Sequence, residues 1–143
     1  MRTLKTALLW IVLLLPVRGQ ASPVDQALLA SIRQMALDYL DADLRRDTAK
    51  MDALLDATFR LTFFTRGGLR VTDKPQYLDW MRKHPPMSVR FMIPEAVPLS
   101  VVGNVATVKA VTRDRVEVLT IWMVGSYKKI VASCIQPRVV EFR

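Results

Sequence analysis

The stretch Val105-Ala106-Thr107-Val108-Lys109-Ala110-Val111-Thr112-Arg113-Asp114-Arg115-Val116-Glu117-Val118-Leu119-Thr120-Ile121-Trp122-Met123-Val124 is rich in β-branched residues. Val105–Thr112 and Val116–Val124 read as two strands reversed at Arg113-Asp114, and two strands joined by so short a turn must run antiparallel. A third strand, Lys129 to Ile135, follows a reversal at Gly125-Ser126, and an earlier one precedes Gly103-Asn104. In that earlier segment Val89, Phe91, Ile93, Val97 and Leu99 alternate, while Pro94 and Pro98 mark it as an edge or bulged strand, because proline donates nothing to a ladder. The strand Val116–Val124 has two apolar faces. One carries Val116, Val118, Thr120, Trp122 and Val124, the other Glu117, Leu119, Ile121 and Met123. A monomeric antiparallel sheet ordinarily leaves one face wet, so the second apolar face predicts a subunit interface, most simply an isologous dimer.

Upstream the period changes from two to about 3.6. Leu28, Ile32, Met35 and Tyr39, with Leu29, Ala36, Leu40 and Leu44 on a neighbouring line, predict a helix of some six turns from Val24. Asp47 then has the character of an N-cap for a short helix from Thr48 to Asp56. Phe59, Leu61 and Phe63 alternate with Arg60, Thr62 and Phe64, and Arg66-Gly67-Gly68 turns the chain into Leu69-Arg70-Val71, a strand hairpin. Asp73 and Gln76 stand at capping-box spacing, Pro75 suits a first turn, and Tyr77, Leu78, Trp80 and Met81 fill a third helix that His84-Pro85-Pro86 ends. The order helix, helix, two short strands, helix, four long strands predicts an α+β fold in which helices cover a curved antiparallel sheet.

The first 21 residues stand apart. Arg2 and Lys5 precede an apolar run from Ala7 to Leu15, then Pro16 and the small residues Gly19-Gln20-Ala21, the order of a cleavable signal peptide. A nine-residue run is less than half the roughly 20 residues that a spanning helix needs. The expectation is a secreted, periplasmic protein with a leader at 1–21 and one domain at 22–143, without stable membrane insertion once the leader is cleaved. The single cysteine, Cys134, can form no internal disulfide and is expected to be packed in the interior. The formal charge of +8 falls to +5 without Arg2, Lys5 and Arg18, and the basic residues, among them Arg113, Arg115 and Lys128-Lys129, are scattered. That pattern reads as solvated surface and argues against nucleic acid as a partner.

Four stretches together are similar to the nuclear transport factor 2-like superfamily, and within it to the lumazine-binding branch. They are Ala36-Leu37-Asp38-Tyr39-Leu40-Asp41-Ala42, the segment Asp47 with Lys50-Met51-Asp52-Ala53-Leu54-Leu55, the helix start Asp73 to Trp80, and the closing strands from Asn104 to Val131. The resemblance spans roughly Val24 to Gln136. It implies a cone, in which the curved sheet and long first helix enclose a pocket and members pair through the outer sheet face. It implies no single activity, since the superfamily hosts isomerases, cyclases, dehydratases and epoxide hydrolases as well as members without a known reaction.

Catalytic chemistry finds few carriers. Isomerase-like relatives place a carboxylate base on the first strand after the helical pair, but Phe59-Arg60-Leu61-Thr62-Phe63-Phe64-Thr65 contains no Asp or Glu, although Tyr39 could serve as the polarising phenol. His84 is the one histidine, at a helix end before two prolines. Asp43 lies one turn beyond Tyr39 and could form a polar pair with it at a pocket, or else belong to a solvated helix face. No metal-ligand spacing, phosphate loop, nucleophile elbow or hydride-cofactor fingerprint is present, so neither metal nor cofactor is expected. The pocket candidates are Met35, Tyr39, Asp43, Phe63, Trp80, His84, Phe91 and Trp122, a set suited to a small apolar or aromatic ligand. The leading expectation is a non-catalytic binding or accessory protein. The alternatives are an enzyme of lyase, isomerase or cyclase type using Tyr39, Asp43 or His84, and an interaction domain whose cone is filled by its own side chains.

Overall fold

A computed structural model describes residues 23–87, 94–112 and 115–137. The leader at 1–21, Phe91 and the reversal at Arg113-Asp114 lie outside the described residues. The chain forms α1 (Pro23–Arg45), α2 (Thr48–Leu54), β1 (Leu55–Thr65), β2 (Gly68–Asp73), α3 (Lys74–Lys83), β3 (Glu95–Val102), β4 (Val105–Val111), β5 (Arg115–Val124) and β6 (Tyr127–Pro137). The expected α+β layering is present, with the two helical caps where the sequence puts them. Asp47 accepts from Lys50 N at 2.9 Å, and Asp73 accepts from Gln76 N at 2.9 Å while Gln76 returns its amide oxygen to Asp73 N. Each satisfies backbone donors that a helix start leaves without partners.

The six strands form one sheet in the order β2-β1-β6-β5-β4-β3. Four of its pairings are antiparallel, whereas β1 pairs with β6 in parallel, a junction that short-range turn reading does not reach. The chain therefore returns β6 to the middle of the sheet, between the first hairpin and the later meander. Bulges bend the sheet at Pro98/Ser100 in β3, at Thr120/Ile121 opposite β6 and at Leu55/Arg60 in β1. Bulges add local twist and curvature, which is what lets one sheet wrap partly around a helix.

The core lies on the concave side. Ile32, Ala36, Tyr39 and Leu40 of α1 pack with Met51, Phe59, Met81, Val108, Leu119, Ile121 and Ile130, all of them fully buried. α1 lies against β3 and β4, and α3 against β1 and β2. Lys50 of α2 ties back to α1 through Asp38 at 3.0 Å and Asp41 at 3.3 Å, while Lys74 at the start of α3 donates to the carbonyls of Asp52 and Leu55.

Two sequence expectations change here. Cys134 is half-buried rather than enclosed. The bulge places Ile130 opposite Ile121 but Ala132 opposite Thr120, so the parity inferred from Ile130 is inverted by the time the strand reaches Cys134, which pairs with Val118 on the outer face. The second is Arg115, which lies largely inside the mouth of the cone with its side chain 20% exposed. The outer face of β5 is apolar and open, with Trp122 at 47% and Val124 at 51% exposure. Replacing Leu119 by Ala, at the centre of the buried face, should lower the unfolding free energy by about 2–5 kcal/mol in urea denaturation. Arg66→Ala in the exposed hairpin turn should stay within about 0.5 kcal/mol of the parent.

Candidate functional site

α1 ends in a Schellman arrangement: Asp47 N donates to Ala42 O at 2.9 Å and Arg46 N to Asp43 O at 3.3 Å. The residue that reverses the chain there normally is glycine, but here it is Arg46, with φ at 58°. Its side chain offsets the backbone strain. The guanidinium donates through Nη1 to the Asp43 carboxylate at 2.8 Å and lies over the Trp80 ring, 4.5 Å from its centroid. Trp80 of α3 is also stacked with Tyr77, at 6.2 Å and 12°, and with the imidazole of His84 at 4.5 Å.

Asp43 is the hub of this cluster. It is buried, and its two oxygens accept from three side chains of different elements: Tyr77 Oη of α3 at 2.6 Å, Arg46 at the end of α1, and Arg115 Nη2 at the start of β5. Arg115 also sets its Nε 2.6 Å from Glu117 Oε1, with the N–H turned off that oxygen, so the contact is a charge pairing rather than a directed hydrogen bond. Glu117 is fully buried and accepts from Ser133 Oγ of β6 at 2.8 Å. Tyr39 lies behind this pair, fully buried, with no directed partner for its hydroxyl among the described residues.

Burial sets the protonation behaviour. It raises the Glu117 carboxyl above the usual carboxylate range, Arg115 opposes the rise, and the nearby Asp43 charge adds to it. Burial likewise pushes the Tyr39 phenol well up, helped by the charges of Glu117 and Asp43, and raises Tyr77. For Arg115 burial acts to release the proton, but Glu117 and Asp43 outweigh it and hold the guanidinium charged.

The cluster closes one end of a cavity of about 440 Å³ lined by Asp43, Leu61, Phe63, Thr72, Gln76, Tyr77, Trp80, Arg115 and Ile135. A wider groove of about 750 Å³ runs between α1 and β3, where Leu28, Leu29, Leu99 and Val101 meet only Arg33 and Ser100 as polar side chains. The smaller cavity is the candidate site, because apolar walls meet converging polar groups there.

Of the residues singled out from sequence, Asp43, Phe63 and Trp80 come together in this cavity. Tyr39 is sealed behind the ion pairs, Met35 packs at the edge of the core, His84 is exposed and stacks on Trp80, and Trp122 is on the outer sheet face. Arg46, Tyr77, Gln76, Arg115 and Glu117 are the site residues that sequence reasoning did not select. A signal for two of them exists: Arg115 and Glu117 share the parity of Leu119, Ile121 and Met123, the buried face of β5.

The curved sheet over a long helix is an arrangement shared with known proteins. The model of a family described as "putative lumazine-binding" matches residues 27–120, about two thirds of the sequence. The chain belongs to this family. Its fold is that of the nuclear transport factor 2-like proteins. A protein of unknown function from Silicibacter pomeroyi superposes with a TM-score of 0.68 at 12% identity, over 82% of this chain and all of the other. Another, from Shewanella baltica, gives 0.66 at 12% identity over 82% and 98%. The association domain of CaMKII from C. elegans gives 0.61 at 14% identity over 79% and 98%. No curated protein sequence matches.

The burial of Glu117 makes stability depend on pH. A carboxyl whose folded pKa is raised above its unfolded value near 4.5 binds protons more tightly when folded, so its contribution falls as pH rises through that value toward the raised one. Glu117→Gln keeps an acceptor for Ser133 and removes the titration. The wild type should lose stability relative to this variant as pH climbs from about 4.5, in urea melts across pH 4–8. A constant difference over that range would contradict the assignment.

Proposed function

We propose that this protein binds a small, flat, largely apolar molecule in the mouth of its cone and performs no chemistry on it. The cavity of about 440 Å³ carries the reading. Its volume falls in the range of roughly 300–1,000 Å³ common to small-molecule pockets, and Leu61, Phe63, Trp80 and Ile135 offer apolar and aromatic walls while polar groups converge at one end. Lumazine, which the family's description names, is a flat bicyclic heteroaromatic and suits walls of this kind. The arrangement favours holding over reacting. Asp43 has both oxygens committed to three donors, Glu117 and Tyr39 are out of reach of the cavity, and His84 lies outside its lining. The N-terminal leader read from the sequence would place this binding outside the cytoplasm, in the periplasm.

Titrating lumazine and 2-naphthol into the protein while following tryptophan emission should give saturable 1:1 binding, since Trp80 forms a cavity wall. Ile135→Trp, which fills the cavity, should abolish it with the melting temperature retained. Saturable binding that survives Ile135→Trp would place the site elsewhere.

The outer sheet face supports a second element of the proposal, pairing of two copies. Val118, Trp122 and Val124 of β5 point outward beside Ala132 and Cys134 of β6, in the middle of the sheet, an apolar strip bordered by Lys109 and Lys129. The relative from C. elegans is itself named an association domain. The wild type should sediment as a dimer and Val118→Glu as a folded monomer. A wild type that is monomeric at tens of micromolar removes the pairing.

A further inference from the structure

The polar end of the cavity has an asymmetry of hydrogen-bonding capacity that narrows the ligand. Arg115 has five N–H groups. One on Nη2 goes to Asp43 and Nε lies against Glu117, while the two hydrogens of Nη1 and the second of Nη2 have no partner among the described residues. Gln76 gives its amide oxygen to the backbone N–H of Asp73, so the group it has left over is the Nε2 donor. Thr72 contributes a hydroxyl without a side-chain partner among the described residues. Acceptors are scarce by comparison. The one carboxylate in the lining is Asp43, already filled by Tyr77, Arg46 and Arg115.

Each class of occupant meets this end differently. A hydrocarbon would cover the donors and leave them without water or partners, which is unfavourable for each group so buried. A cation would face Arg115 with no unfilled carboxylate to accept from it. A ligand whose polar edge consists of acceptors completes the donors, and an anionic edge adds a charge-assisted contact to the guanidinium. The charge at the cavity surface points the same way, since Arg115 and the adjoining Arg46 stand against Asp43 alone, with Glu117 walled off behind Arg115.

We infer that the ligand class of this cavity is the flat apolar monocarboxylate, an aromatic or similarly planar body against Trp80 and Phe63 with its carboxylate on the guanidinium of Arg115 and the amide of Gln76. The inference rests on the reading of the cavity as a binding site and names what that site selects.

A matched series separates the two. 2-Naphthoate, 2-methylnaphthalene and 2-naphthylmethylamine share one ring system and differ in the polar group, and isothermal titration of the full chain at pH 7 compares them. Naphthoate should bind at least 10-fold more tightly than methylnaphthalene, and the amine more weakly than either. Substituting Arg115 would strand Asp43 and Glu117 in the interior, so the informative variant is Gln76→Glu, which retains the capping-box acceptor for Asp73 N–H. It exchanges the free amide donor for a negative charge. Naphthoate affinity should drop by 10-fold or more in Gln76→Glu, while methylnaphthalene stays within twofold and the melting temperature is kept. Equal affinities for naphthoate and methylnaphthalene, or a naphthoate affinity untouched by Gln76→Glu, overturn the carboxylate inference and leave the binding site standing. No binding of any of the three overturns the inference and the binding proposal together.

Discussion

The ion pair between Asp43 and Arg115 joins the two layers of the fold. Asp43 is on the last turn of α1 and Arg115 on the first residue of β5, 72 positions apart in sequence, and their contact fixes where the long helix ends over the sheet. Tyr77 brings α3 to the same carboxylate, and Glu117 with Ser133 extends the cluster to β6. Removing charges from water costs several kcal/mol per ion, so such a cluster adds little net stability compared with apolar side chains of similar volume. What it does supply is discrimination among packings. A helix register displaced by one turn would take Asp43 away from Arg115 and Tyr77 and leave the buried charges without their partners, a heavily penalised state.

The same cluster explains why the end of α1 has its unusual chemistry. An arginine in the left-handed conformation is a local disadvantage that glycine would avoid. Here the disadvantage is offset by contacts glycine could not make, to the Asp43 carboxylate and the face of Trp80. Trp80 in turn forms a cavity wall, so the reversal between α1 and α2 and the cavity share one side chain.

Much of the fold was legible in the sequence because it rests on local rules. The 3.6-residue period of α1, the caps at Asp47 and Asp73, the alternation of β5 and the prolines of the edge strand each have their cause within a few residues. The parallel junction of β1 with β6 has no such cause, since nothing near either strand encodes a partner some 70 residues away. The site was legible in part. Asp43, Phe63 and Trp80 could be placed by helical and strand parity, but Arg115 read as one of several scattered basic residues because charge alone does not reveal which way a strand residue faces. Its spacing from Glu117 and Leu119 carried that information. Cys134 shows the limit of parity itself: one unpaired residue between Ile130 and Ala132 reverses every later assignment along the strand.

The position of β6 bears on how the molecule comes into being. Among the described residues β6 sits between β1 and β5, so the two parts of the sheet have no direct ladder between them until residues 127–137 are in place. Before that moment a growing chain can close the β1–β2 hairpin and the β3–β4–β5 meander, but these remain separate pieces with their concave faces open. Joining them requires contacts of long sequence separation, whose chain-closure entropy slows folding relative to helical proteins of the same size. Completion is therefore a nearly all-or-none event, in which the concave faces of the two pieces close together only when β6 enters between them.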